Sequence, residues 1–385
     1  MPRKQSCGSL HIPDLTIKEF RGIKNLSLPH LGRVTLLAGK NSVGKTSVLE
    51  AVTAFAVRGR HIVLFNLLEE HNEWISMTDA DGEKFQAPDI AALFHGRTPA
   101  ENSPITIGPL KNTNQLRIEK ASVGDLGEEE ARLLIEHYMP GPYNDDYLQL
   151  FKSIFQVKKG KKDREYKENI LPQINFRNPR IPFWRELNRE SELPAAIKCQ
   201  TLGPGMLANE EIARLWDGIV LTDDEDRALE ALRLIFGDRV ERVTVIGEES
   251  KRHGRRFIVR LKGHTQPVPL KSLGDGAVRL FSIVLALVNN RDGILLIDEA
   301  ENGIHYSVQY NFWRMVLRIA RTNNTQVLAT THSWDCVQGF SQAATDDEDA
   351  EGILYRLERD DEDVWAIFYP EDQLKIAAEH GTEVR

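Results

Sequence analysis

The chain has 385 residues, 41% of them hydrophobic and 28% charged, with a formal net charge of −8. That length allows two or three cores at the usual domain size, and the composition is that of an ordinary globular protein. The acidic balance excludes a generally basic nucleic-acid binder, though not a local basic groove, and no run approaches the ~18 apolar residues of a membrane span.

Met1–Gly8 is basic but has no apolar stretch after it, so it does not read as a signal peptide. The three cysteines, Cys7, Cys199 and Cys336, are scattered without metal-ligand spacing. They predict reduced thiols in a cytoplasmic protein. Arg33-Val34-Thr35-Leu36-Leu37-Ala38 is a short apolar run with a β-branched bias, which predicts a buried strand. Gly39-Lys40-Asn41-Ser42-Val43-Gly44-Lys45-Thr46 then fits G-x-x-x-x-G-K-[ST], and Ser47–Val52 continues as a helix. Strand, glycine loop and helix form the context of a phosphate cradle, in which backbone N–H groups and a helix N-terminus face the anion. Gly39, Asn41, Gly44, Lys45, Thr46 and Ser47 are the candidate nucleotide contacts. Lys45 would reach the β- and γ-phosphates, and the Thr46 hydroxyl would meet Mg²⁺.

Residues 46–297 separate this loop from the next carboxylate-tipped strand, far more than a compact phosphate-loop domain needs. Recurrent prolines and the lack of sustained heptads exclude a long coiled coil in that insertion. Gln115–Glu119 predicts a strand and Gly127–His137 an acidic helix, while 140–200 resists assignment. Lys158–Arg164 is the densest basic run. It reads as the solvated turn of a hairpin with Phe155 and Tyr166 on its arms, with a phosphate contact to nucleic acid as the alternative. Arg252–Arg256 is a second basic turn of the same kind. Asp224–Phe236 predicts an amphipathic helix with Ala228, Leu229, Leu232, Ile235 and Phe236 on one face, and Val240–Ile246 and Arg256–Leu261 predict strands.

Ser272-Leu273-Gly274-Asp275-Gly276 leads into an apolar helix, Ala277–Val288, whose first N–H groups suit an anion. Gly293–Glu299 is an apolar strand ending in two carboxylates. Asp298 would hold the Mg²⁺ shell, and Glu299 would orient and polarise the attacking water. Thr325–Ser333 repeats the pattern with a strand, small hydroxyl residues and His332, a candidate γ-phosphate contact. Ile353–Leu357 and Val364–Tyr369 predict a closing hairpin between acidic turns, and Glu371–His380 a surface helix.

Together these motifs resemble the ABC-type ATPase head, in its RecF/SMC/OLD (overcoming lysogenization defect) branch. Leu15–Leu26 resembles that branch's opening strand with its Phe20-Arg21-Gly22 element, and Ser272–Gly276 is similar to its signature, with Asp275 where many members have Gly. Glu301-Asn302-Gly303-Ile304-His305 resembles the D-loop, and Thr331-His332-Ser333 the switch histidine. A glutamine-bearing Q-loop is missing, with Phe94-His95-Gly96 the candidate for its place. The resemblance covers roughly residues 12–57 and 268–340.

It implies an α/β P-loop head, a mixed sheet with flanking helices, carrying an inserted helical and strand region. Residues 12–120 would form an N-terminal lobe, 121–237 the insertion and 238–385 a C-terminal lobe. It also implies ATP as substrate, Mg²⁺ as cofactor, and a homo-oligomer in which Ser272, Gly274 and Gly276 face the nucleotide of another copy. Catalysis would fall to Lys45, Glu299 and His332. Only 53 residues, 333–385, follow His332, which leaves no room for the TOPRIM nuclease of many OLD-like proteins. The expected function is an ATP-driven switch or scaffold controlling a separate effector, a nuclease or toxin, in anti-phage defence. A RecF-like DNA clamp is the alternative, and a transporter subunit is disfavoured by the opening element and the insertion. No Asn-Lys-x-Asp guanine-reading motif occurs.

Overall fold

The computed structural model describes residues 9–78, 84–100, 103–111, 114–122, 153–159, 166–170, 196–237, 239–247, 254–347, 349–361 and 363–370. Val34–Ala38, uncharged and wholly buried, is an inner strand of a six-stranded sheet. Across that sheet the order is Cys199–Leu202, Ile294–Ile297, Gln326–Thr331, Val34–Ala38, Gly352–Asp360 and Asp363–Tyr369. Neighbours pair in parallel until the last, which closes the sheet as an antiparallel edge. A parallel sheet is covered on both faces, which is why its strands read as near-continuous apolar runs.

The two faces separate by the period of two along each strand. Val34, Leu36, Leu295, Ile297, Val327 and Ala329 enter one core, and Leu37, Ile294, Leu296 and Leu328 enter the other. The first core is covered by helices Asn209–Asp217, Asp223–Phe236, Asp275–Asn289, Gln309–Thr322 and Trp334–Thr345. Phe257, Phe281 and Trp216 stack at its centre, with Phe257 and Phe281 centroids 5.1 Å apart in an edge-to-face pair. The second core lies under helix Lys45–Ala56 and an antiparallel sheet. That sheet runs Ile23–Leu28, Leu15–Phe20, Ile105–Gly108, Leu116–Ser122, Ser153–Lys159 and Tyr166–Ile170. The result is an α/β head with a mixed central sheet and flanking helices, and no coiled coil is found among the described residues.

Most predicted elements appear within a residue or two of their expected limits. The closing hairpin is longer than expected, at Gly352–Asp360 and Asp363–Tyr369. Two readings change. Leu15–Leu26 is not one strand but a hairpin, Leu15–Phe20 paired with Ile23–Leu28 around Arg21 and Gly22. Arg21 takes a φ of 51° at this turn, a left-handed conformation a non-glycine residue adopts only under tertiary constraint. Cys199–Leu202, inside the stretch that resisted assignment, is an edge strand of the central sheet beside the Asp298 strand. Its four residues carry too little periodicity to be read alone.

The Phe155 and Tyr166 arms do pair, with Lys159 opposite Tyr166. The turn between them, the Gly127–His137 helix, residues 248–253 of the second basic turn and the Glu371–His380 helix lie outside the described residues. No helix among the described residues is long and apolar enough to cross a membrane.

Candidate nucleotide site

The carboxyl ends of the parallel strands converge, the place where open α/β sheets bind ligands. Val34–Ala38 runs out into the glycine loop, Ile294–Ile297 into Asp298 and Glu299, and Gln326–Thr331 into His332. Gly44 caps the loop's helix at φ 104°, a left-handed turn that a Cβ would strain. Asn41 is exposed on the loop, Gly39 is buried at its start, and Ser47 is half-buried in the first helical turn. Lys45 is buried, and its ammonium donates to the carbonyls of Gly39 at 2.7 Å and Lys40 at 2.8 Å. Burial pulls this lysine below its ordinary range, opposed by the negative charges of Glu301, Asp298 and Glu299 in that order.

Asp298 is the hub. Its Oδ2 accepts the Thr46 hydroxyl at 2.9 Å, and its other oxygen accepts the Thr330 hydroxyl. The buried Arg279 donates to the Asp298 carbonyl at 2.8 Å and to the carbonyls of Gly203 and Gly205. The Thr46 hydroxyl and the Asp298 carboxylate are hard oxygen donors beside a phosphate cradle, which fits Mg²⁺. Among the described residues no cluster of three or more His, Cys, Asp or Glu could hold a metal by itself. A small cation here would complete its shell with phosphate oxygens and water.

Glu299 is held in an unusual conformation at φ 47°, its N–H donating to Thr330 Oγ1 at 2.9 Å. Its carboxylate accepts from Asn302 Nδ2 at 2.6 Å. His332 is 42% exposed, with Nδ1 3.1 Å from Glu301 and 3.9 Å from Glu299. The structure thus gathers Lys45, Thr46, Asp298, Glu299 and His332 at one end of the sheet.

Ser272 and Gly274 are exposed, and Gly274 caps helix Asp275–Asn289. Among the described residues no hydrogen bond joins Ser272, Gly274 or Gly276 to Lys45, Thr46 or Asp298. Gly276 instead packs on Gly303, where an added Cβ would lie 2.0 Å from the Gly303 carbonyl oxygen. Phe94-His95-Gly96 packs against the opening hairpin: Phe94 bridges Phe20, and His95 Nδ1 lies 3.0 Å from the Arg21 carbonyl. Arg21 itself is buried in ion pairs with Glu50 and Glu73.

Three residues of the site went unassigned by sequence reasoning, Thr330, Arg279 and Arg359, while Glu301 and Asn302 were read only as part of a D-loop. Arg279 had a signal, being the one cation in an otherwise apolar helix run of Ala277–Val288. Arg359 had none. It donates from the closing hairpin to the Ser42 carbonyl at 3.2 Å and the Gly22 carbonyl at 3.0 Å, linking elements more than 300 residues apart. The basic turns are partly neutralised within the chain: Lys158 pairs with Glu119, and Arg255 forks onto Asp217 with two bonds of 2.6 Å.

The model of the family described as "AAA domain, putative AbiEii toxin, Type IV TA system" matches residues 34–335. An ATP/GTP phosphatase of Helicobacter pylori is 22% identical over 390 aligned positions, covering 96% of this chain and 98% of that protein. An uncharacterized protein of Methanocaldococcus jannaschii is 41% identical over 64 residues, 16% of this chain and 29% of that protein. Among solved structures, the SMC head domain from Thermotoga maritima is 11% identical, covers 94% of this chain and 100% of that one, and superposes with a TM-score of 0.43.

Proposed function

This chain belongs to that AAA-domain, AbiEii-like family, and on that premise we propose that it is an ATPase whose nucleotide state controls a separate effector. One observation carries the reading. The phosphate-loop Thr46 is hydrogen-bonded to Asp298, with Lys45 buried beside them and Glu299 next in sequence. Gly39, Asn41, Gly44 and Ser47 belong to the cradle, where the loop's N–H groups and the helix N-terminus meet the phosphates. Lys45 gives up its two carbonyl partners for the β- and γ-phosphate oxygens. Thr46 and Asp298 would hold Mg²⁺, which when bound neutralises charge developing on the phosphates. Glu299, pre-set by Thr330 and Asn302, orients the attacking water and accepts its proton. His332 contacts the γ-phosphate.

The exposed Ser272 and Gly274, with Gly276 beside them, then serve the nucleotide of a second copy, so that ATP closes a homo-oligomer and hydrolysis opens it. We place the chain in the OLD-like branch, acting on a nuclease or toxin in anti-phage defence. The family's toxin–antitoxin description supports an effector of that kind. The Helicobacter relative is described as an ATP/GTP phosphatase, so both nucleotides belong in the assay. A DNA clamp draws no support from Lys158 and Arg255, both paired within the chain.

The test is turnover of ATP and GTP by wild type and Lys45→Ala, with oligomer size measured by light scattering. Wild type is expected to hydrolyse ATP and to enlarge with it, and Lys45→Ala to do neither. A wild-type rate matched by Lys45→Ala would overturn the reading.

A further inference from the structure

The Glu301 carboxylate is nine-tenths buried, with a side chain 9% exposed, and its two oxygens are used unequally. Oε1 accepts the backbone N–H of His332 at 2.9 Å and lies 3.1 Å from Nδ1 of the same ring. Oε2 is buried with no hydrogen-bond partner among the described residues. The charge of Glu301 is therefore not consumed by a second donor. It acts on the Lys45 ammonium more strongly than Asp298 or Glu299 does.

The backbone contact and the Nδ1 edge of the ring both lie against one Glu301 oxygen, which leaves Nε2 for the nucleotide. A γ-phosphate offers acceptor oxygens that an Nε2–H would meet.

We propose that Glu301 is the positioning residue that orients His332 toward the γ-phosphate, the contact by which the site tells ATP from ADP. This rests on the nucleotide reading of the site. Two carboxylates face the ring, Glu301 at 3.1 Å and Glu299 at 3.9 Å from Nδ1, so loss of Glu301 leaves only the more distant one to hold it.

The test compares calorimetric affinities for ADP and a non-hydrolysable ATP analogue in wild type, Glu301→Gln and Glu301→Asp. Removing a charge beside Lys45 acts on both nucleotides, since both carry a β-phosphate, so the ratio of the two affinities is the readout. In Glu301→Gln the preference for the analogue is expected to fall about tenfold, the scale of one charge-assisted hydrogen bond. Glu301→Asp, which keeps the charge, recovers part of that preference. An unchanged ratio in Glu301→Gln would overturn the proposal, as would equal losses in the Gln and Asp variants. Wild-type protein that binds neither nucleotide would overturn the nucleotide reading itself.

Discussion

Thr46 and Asp298 are 252 positions apart in sequence and hydrogen-bonded at 2.9 Å in space. The contact is possible because the Val34–Ala38 and Ile294–Ile297 strands both flank Gln326–Thr331, in one parallel sheet. Their carboxyl ends therefore open on the same side. Thr330, at the end of the strand between them, takes the other Asp298 oxygen. The carboxylate is thus fixed from two directions before any nucleotide arrives.

Asp298→Asn keeps the shape of this hub but removes its charge. Magnesium-dependent turnover should drop by at least ~100-fold, since a bound cation stabilises the transition state by several kcal/mol and each 1.36 kcal/mol is about tenfold. Nucleotide binding without magnesium should survive, because Lys45 and the loop amides remain. Titrating turnover against Mg²⁺ checks this; a variant that reaches the wild-type rate at high Mg²⁺ would place the cation elsewhere.

Glu299→Gln retains a side chain of the same size that Asn302 can still reach, but one that cannot take the water's proton. Turnover should fall by roughly 10²–10⁴, the usual range for loss of a general base. ATP should bind and hold the oligomer closed. Measured turnover and the mass in ATP decide it: an unchanged rate would remove Glu299 from the chemistry.

The two described thiols should be inert in the folded chain. Burial pushes the Cys199 thiol up to about 12, and Cys336, wholly buried, is pushed up as well. At pH 8 about one Cys199 in ten thousand would be thiolate, the reactive form. Iodoacetamide should leave both peptides unlabelled in native protein and label them after denaturation, as mass spectrometry would show. Rapid native labelling at Cys199 would mean that the edge strand Cys199–Leu202 opens readily.

The sheet's inner strands were legible because burial on both faces leaves long apolar runs, as at Leu295, Leu296 and Ile297. The phosphate loop was legible because its chemistry constrains consecutive residues. Lys45, Thr46 and Asp298 could thus be named and are found together. The supporting contacts were not legible, because each spans a long gap. Arg279 reaches the Asp298 carbonyl only once its helix has packed, and Arg359 meets Ser42 only after the final hairpin joins the sheet. Cys199–Leu202 failed for another reason: four residues with a half-exposed pattern carry no period that separates strand from loop.

Gly276 shows how a glycine at a helix start can be read sterically. It starts the helix that follows Ser272 and Gly274, and it touches Gly303 in the loop that carries Glu301 and Asn302. A Cβ on residue 276 would fall 2.0 Å from a backbone oxygen, which no side-chain rotation relieves. Gly276→Ala must therefore displace the Gly303 loop, at a cost of about 1–3 kcal/mol, typical of overpacking. That loop sets Glu299 through Asn302, so turnover should fall together with the melting temperature. Gly203→Ala is the control, since its Cβ would meet nothing within 4 Å. Thermal melts and ATPase rates on both variants give the answer. Gly276→Ala with a wild-type melt and a wild-type rate would show that the two loops part without consequence, and that Gly276 and Glu299 are not coupled.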